Sequence, residues 1–589
     1  MSTRKSVVNI IILISVVEAA LLAWIIKDPI TMFVFSGKTF AGRSLPLQFA
    51  IFFCIFCACV FFLYFFYLKF EKSGDKFENV IGKFRHFSIN ENVILLSLAM
   101  FGIILRVRQY LFTRSLWFDE LSLASNFINH DLLYLIANPL DTRQSAPLGF
   151  IFFTKAIGKI FNYSDLSLRL FPFLIGMGVV LLSIIVANRI LSPVSRFVFV
   201  WLISTSPVLI YYSNEVKPYI ADAFFYLLLL IIYILYREKK INIYWVSFIG
   251  LLAILFSFTS AMILCIVGLI EFFIAHNEHR EWDRNAILFA SILWLTVFTI
   301  IYLGFNRKNS PMDYYISYWG NRFAPFSISI KSLNWYWKAM LEFANLGFHP
   351  YSPVGVNFYS GQFEVLSIVL IVITFIGIIF QFKKQKMVAI FNGGILALAL
   401  LISALKLFPF GARLNLYLIP IAFGLICTCL ENLVSHSSYS MKFFGYQLIL
   451  ATLAVNTIPS INAFFNPIDN ADIKNALLYL QAHAVSTDSL TMVDNTYPAY
   501  GFYSKYYDLP DFSHISAFSR PFNVDNYLND VCENQPDNHV WILITQLFYE
   551  GKEFIVELSE KGTLLEKWES SGSGLYYFQF DLNSICPEK

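Results

Sequence analysis

Charge is what this chain has least of. Only 14% of its 589 residues are Asp, Glu, Lys or Arg, and the formal net charge is +3. A soluble domain carries about a quarter of its residues as charges, so a soluble fold of this composition could not cover its own surface. So small a net charge also gives no basis for a nucleic-acid partner. No glycine-rich phosphate loop, zinc-type Cys/His spacing or internal repeat is visible. The lone Gly393-Gly394 pair sits inside an apolar run and suits close helix packing. Cysteine is scarce too. Of eight, six (Cys54, Cys57, Cys59, Cys265, Cys427, Cys429) lie in apolar runs and read as small core residues. No His or fourth thiol accompanies Cys54, Cys57 and Cys59 to make a metal site. Cys532 and Cys586 lie in a polar tail, where a disulfide is expected if that tail lies outside the cytoplasm.

What is present is apolar: 57% hydrophobic residues, 18% aromatic, with a mean hydropathy of +0.60. These values predict a polytopic α-helical membrane protein. Runs long enough to span occur near 7–26, 48–68, 92–112, 170–190, 197–212, 219–236, 243–257, 259–274, 286–304, 363–382, 387–405, 412–430 and 444–461, about thirteen helices. The first run follows a short basic start but lacks a small-residue cleavage site, so it reads as an anchor. Basic residues crowd alternate loops: Lys69 to Arg85, Arg189 and Arg196, Arg237 to Lys240, Arg280 and Arg284, Lys383 to Lys386. The positive-inside rule then puts the N-terminus in the cytoplasm and the C-terminus outside. Pro147 to Phe161 is too short to span and carries Lys155 and Lys159, so it reads as an amphipathic helix in the outer interface.

Three regions follow: 1–91, two N-terminal spans and a cytoplasmic loop; 92–464, the main membrane domain with external loops 113–169 and 305–362; and 465–589, an extracytoplasmic domain. In the last, 489–493, 540–545, 563–569 and 575–580 read as strands, and segments near 472–480, 525–532 and 550–561 as helices. That alternation predicts a small α/β domain.

The stretch Trp117-Phe118-Asp119-Glu120-Leu121 follows an apolar run directly. Adjacent carboxylates beside a membrane are costly, and so are candidates for function. One could act as a general base or bind a divalent cation (Mg or Mn), while its neighbour, about 100° away on a helical turn, holds the loop. Tyr212-Ser-Asn-Glu215-Val-Lys217-Pro218-Tyr219 joins two apolar runs on the same outer side. Pro218 suits the first turn of a helix. Glu215 and Lys217 either satisfy each other as a surface pair or serve a ligand, with Lys217 holding a phosphate. Arg413 stands at the outer mouth of a helix after Pro409-Phe410-Gly411-Ala412, and its planar fork suits phosphate. Arg169, Arg322 and His349 are weaker candidates. Arg106 and Arg108 read as interfacial.

Taken in order, these stretches resemble a known family. The acidic Trp117–Glu120 loop is followed by Gln144-Ser-Ala-Pro147-Leu148 and Tyr163-Ser-Asp-Leu-Ser-Leu-Arg169-Leu-Phe-Pro172. The Glu215-Val-Lys217-Pro-Tyr219 turn and Pro409-Phe-Gly-Ala-Arg413 complete the set. The order, over roughly 90–430, is similar to polyprenyl-phosphate-sugar-dependent transferases of the GT-C class, such as protein mannosyltransferases and aminoarabinose transferases. Lys217 stands where many members carry arginine. The resemblance implies a membrane glycosyltransferase moving a sugar from a polyprenyl-phosphate donor to a lipid, protein or glycan acceptor outside the cytoplasm, with inversion. It implies Asp119 or Glu120 as base, and Lys217, Arg413, Arg169, Glu215, Tyr219 and Gln144 around the substrate. The rival expectations are a transporter or flippase of lipid-linked sugars and a non-catalytic envelope subunit. Charges at helix ends without a repeat argue against transport.

Overall fold

The structure, a computed structural model, describes residues 89–306, 312–327, 329–348, 364–467, 469–534, 538–547, 549–570, 572–582 and Cys586. The expected spans 7–26 and 48–68, the Cys54–Cys59 group, His349 and part of the 305–362 loop lie outside these residues. Within them the chain forms two compact units. Residues 89–111, 131–348 and 364–465 make up one; residues 112–130 and those from 466 onward make up the other.

The first unit is a helical membrane body. Among the described residues eight helices are long and apolar enough to cross a membrane: Glu91–Leu111, Asp165–Ile190, Tyr219–Arg237, Ser260–Asn277, Glu281–Phe305, Lys386–Ala404, Arg413–Val434 and Tyr439–Phe465. Glu364–Lys384 is a further apolar helix of 21 residues. The expected spans near 197–212 and 243–257 are shorter. Pro193–Thr205 has 13 residues and Ile243–Phe256 has 14, against the roughly 20 that a bilayer asks for. The first of these breaks because Pro207 has no N–H to continue the ladder. Ser206 takes over, accepting from Leu209 N and donating from Oγ to Gly347 O at 2.7 Å. A new short helix, Pro207–Tyr212, then carries the chain into the polar turn.

Leu148–Ile160 has 13 residues, too few to span. Phe150, Ile151, Thr154 and Gly158 face inward, while Phe152, Phe153 and Ile160 are exposed. An apolar outward face beside Lys155 and Lys159 is the pattern of a helix lying in a membrane interface.

The second unit is built on a five-stranded mixed sheet: β1 Ser489–Val493, β2 His514–Phe518, β3 His539–Thr545, β4 Thr563–Ser570 and β5 Ser573–Gln579, in the order β2-β1-β3-β5-β4. β1 pairs parallel with β2 and β3, whereas β5 runs antiparallel to both β3 and β4. Both faces of β1 are buried, as expected of a central parallel strand. Helices Ile473–His483, Val524–Asn534 and Tyr549–Leu558 complete this α/β unit. β2 was not expected, because an edge strand of five residues ending before Ser519-Arg520-Pro521 leaves little pattern to read. Cys532 and Cys586 are joined by a disulfide, as anticipated. The Trp117–Leu121 stretch, expected in a loop of the membrane domain, belongs to this second unit.

Candidate functional site

In the first unit the site is organised by the turn between Pro207–Tyr212 and Tyr219–Arg237. Residues 212–218 are all buried, with Glu215 at 0% exposure and Lys217 at 4%, so the two are not the surface pair that the sequence allowed. Polar groups at such depth need local partners. Asn214 Nδ2 donates to Ile210 O at 2.9 Å, Ser213 Oγ donates to Leu209 O at 2.5 Å, and Lys217 N donates to Glu215 O at 2.7 Å. Helix Asp165–Ile190 passes so close that a Cβ on Gly176 would lie 2.1 Å from Ser213 Oγ. Only glycine permits that approach.

Arg106 overturns its interfacial reading. It is fully buried, and its guanidinium donates to Gly102 O and Ser204 O at 2.9 Å each, Ile203 O at 3.1 Å and Ser213 Oγ at 3.2 Å. One side chain thereby ties Glu91–Leu111 to Pro193–Thr205 and to the turn that presents Lys217. Sequence reasoning placed it by its distance from the helix end. The signal available was the hydrophobic Leu-Arg-Val-Arg setting, where a snorkelling residue would stand at the border.

Lys217 Nζ donates to Gln144 Oε1 at 2.6 Å, so two stretches 73 positions apart meet at one hydrogen bond. The loop that delivers Gln144 has Thr142 and Arg143 at positive φ, and the Arg143 guanidinium lies 4.5 Å over the Tyr314 ring. On the other side, Arg413 lies 5.4 Å over the Tyr219 ring and 5.8 Å over that of Trp319. Cation–π contacts of this kind hold a guanidinium in plane, worth roughly 0.5–2 kcal/mol according to exposure. Gln144 and Lys217 form one contact and Tyr219 and Arg413 another, both inside one unit. Arg169, the fifth residue of Asp165–Ile190, is 2% exposed.

The Arg413 turn has its own support. Gly411 has φ +146°, and a Cβ there would stand 2.9 Å from Arg322 Nη1. Phe410 N donates to Arg322 O at 2.8 Å, while Arg322 Nη1 meets Glu342 Oε2 at 2.5 Å. Arg322, a weak substrate candidate from sequence, braces this turn. Trp319 and Gly411 are the residues that sequence reasoning passed over.

In the second unit the carboxylate pair divides. Trp117 precedes helix Phe118–Asn129, whose first turn holds both acids, where the helix dipole favours negative charge. Glu120 is fully buried; Trp117 N donates to its Oε2 at 3.5 Å, and Arg114 Nη2 stands 3.9 Å from its Oε1. It fastens the loop. Asp119, one residue earlier, is half-buried. The segment leading in is anchored on the same unit, with Ser115 N donating to Asp469 Oδ2 at 2.5 Å and Leu116 N to Tyr503 OH at 2.8 Å. Burial pushes the Asp469 carboxyl above the usual carboxylate range, although the Ser115 hydrogen bond opposes the shift. Among the described residues no group of three or more His, Cys, Asp or Glu stands together.

No protein-family model matches the chain, and no curated protein matches it. Among solved structures the chain is similar to ArnT from Cupriavidus metallidurans, in its apo state and bound to undecaprenyl phosphate. The TM-scores are 0.40 and 0.41, with 11% sequence identity over 85% of this chain and 99% of that one.

Proposed function

We propose that the chain is a membrane glycosyltransferase that moves a sugar from a polyprenyl-phosphate donor to an acceptor hydroxyl or amine on the extracytoplasmic face. The observation that carries this reading is the buried turn: Lys217 hydrogen-bonds Gln144, and two residues on Tyr219 lies beneath Arg413. Two cations fixed at helix ends are suited to an anionic headgroup arriving sideways from the bilayer. Undecaprenyl phosphate, bound in one of the ArnT structures, is the kind of carrier meant.

In the reaction, the acceptor heteroatom attacks the anomeric carbon. The new bond forms as the bond from that carbon to the phosphate oxygen breaks, and the electron pair leaves with the phosphate. Because phosphate departs without a proton, one base suffices, unlike the carboxylate pair of a glycosidase. Asp119 takes the acceptor proton, and Glu120 keeps the loop in shape. Attack opposite the leaving group inverts the anomeric centre. Lys217 and Arg413 stabilise the charge that develops on the phosphate, an effect worth roughly 3–4 kcal/mol per well-placed donor. The disulfide in the second unit supports its placement outside the cytoplasm, and the basic clusters support a cytoplasmic N-terminus.

The test uses purified full-length protein, a labelled undecaprenyl-phosphate-linked sugar and a membrane extract as acceptor source. Wild type is expected to transfer label. Asp119→Asn should slow transfer by roughly 10²–10⁴-fold, the usual worth of a general base. Glu120→Gln should act mainly on thermal stability. Full activity in Asp119→Asn would remove the proposed base. Passage of donor across a vesicle without transfer would make the protein a transporter.

A further inference from the structure

The first unit has a second polar centre, at the opposite end of its helices. Helix Arg413–Val434 carries Arg413 at one end and Glu431 at the other, eighteen residues on. At about 1.5 Å per residue that is roughly 27 Å away, so the two centres are separate. Around Glu431 lies a cavity of about 340 Å³ whose lining includes Asn188, Arg189, Arg196, Lys384 and Thr428. Ligand pockets run from roughly 300 to 1,000 Å³, and this one is sized for a small headgroup.

Its charges are partly committed. Lys384 Nζ meets Glu431 Oε1 at 2.5 Å, and Arg189 Nη1 meets Glu238 Oε2 at 2.8 Å. Arg196 Nε donates to Leu191 O at 2.7 Å. Lys240 Nζ also meets Glu238 Oε2 at 2.8 Å, so four cations gather about Glu431 and Glu238, with Glu91 near Arg196. What is unspent is specific: Arg189 Nε and Asn188 Oδ1, adjacent on the same helix end, are both buried without a hydrogen-bond partner. A buried polar atom left so is costly, and more so when it belongs to a charged group. The first is a donor on the edge of a guanidinium, the geometry that accepts phosphate oxygens. The second is an acceptor, which calls for a hydroxyl or N–H.

We infer that this cavity binds a phosphate ester whose other arm carries hydroxyl groups: the headgroup of an anionic membrane lipid in the leaflet at this end of the bundle. A phosphate oxygen accepts from Arg189 Nε, and a headgroup hydroxyl donates to Asn188 Oδ1. The site stands independently of the transfer reaction above, because none of its residues takes part in that chemistry.

Native mass spectrometry of the full chain in detergent tests this, with phosphatidylglycerol, phosphatidylcholine and soluble glycerol 3-phosphate as probes. Phosphatidylglycerol is expected to stay bound where phosphatidylcholine does not. Its occupancy should fall about tenfold in Arg189→Met, as for loss of a charge-assisted contact. Arg189→Lys keeps a cation for Glu238 but lacks the Nε edge, so it should weaken binding in a protein that still folds. Asn188→Leu should remove the preference for phosphatidylglycerol over phosphatidic acid, which lacks the hydroxyl arm. If glycerol 3-phosphate displaces the lipid at equal concentration, the phosphate site stands and its ligand is the soluble ester. Equal retention of phosphatidylglycerol and phosphatidylcholine by wild type, or unchanged phosphatidylglycerol binding in both Arg189 variants, overturns the proposal.

Discussion

Two arginines in the membrane unit show how differently one side chain is employed. Arg106 lies fully buried within Ile89–Leu111, and its donors go to three backbone carbonyls and a serine hydroxyl. Arg413 stands half-buried at a helix mouth, its flat face over Tyr219 and Trp319. The first arrangement uses the hydrogen-bonding edge and builds scaffold. The second uses the face, which is stacked against two aromatic rings. The residue type says nothing about which applies; the destination of the N–H groups decides.

That contrast can be broken by exchanging the losses. Arg413→Ala should reduce turnover of labelled donor by roughly 10²–10³-fold while the melting temperature holds. Arg413→Lys should recover only part, since the charge returns without the planar fork. A melting temperature that collapses in Arg413→Ala would make Arg413 scaffold as well. Arg106→Met should do the reverse, lowering unfolding stability by roughly 2–3 kcal/mol as buried acceptors lose their donor. Its activity should then fall in proportion to folded protein; near-complete inactivation of a fully folded variant would mean that Arg106 also aligns the Lys217 turn. The smallest effect is expected from Gly411→Ala. A Cβ at φ +146° and 2.9 Å from Arg322 Nη1 should cost roughly 1–2 kcal/mol and loosen the Arg413 turn. A wild-type melting curve and turnover in that variant would show that the brace is dispensable.

The fold was legible where hydrophobic length alone settles it. Apolar runs such as 219–236 became helices with ends close to those expected, and the alternation in the tail became a sheet flanked by helices. What the sequence could not display was the interruption at Ser206-Pro207, where a proline and a serine cap override an apolar run. β2 stayed hidden because a parallel edge strand draws its support from a neighbour 25 positions away, as Ser489 opposite His514 shows. At the site, the candidate residues Gln144, Lys217, Tyr219 and Arg413 are all drawn into contacts within one unit. The division of labour between Asp119 and Glu120 was legible only as an alternative, since adjacent helical positions do not reveal which one turns inward. Arg106 and Gly411 escaped because their importance lies in distances between segments. No local pattern encodes those.

The fastening of Ser213 by Arg106 also bears on how the protein would feel its lipid surroundings. Hydrophobic mismatch acts on helices that lipid surrounds, making them tilt as the bilayer thins or thickens. Glu281–Phe305, only 22% buried along its apolar window, is open to that pressure, whereas Glu91–Leu111 is 67% buried. Because the Lys217 turn is pinned to the sheltered helix, its depth is set by protein rather than by acyl-chain length, and the same headgroup height would be kept in membranes of unequal thickness.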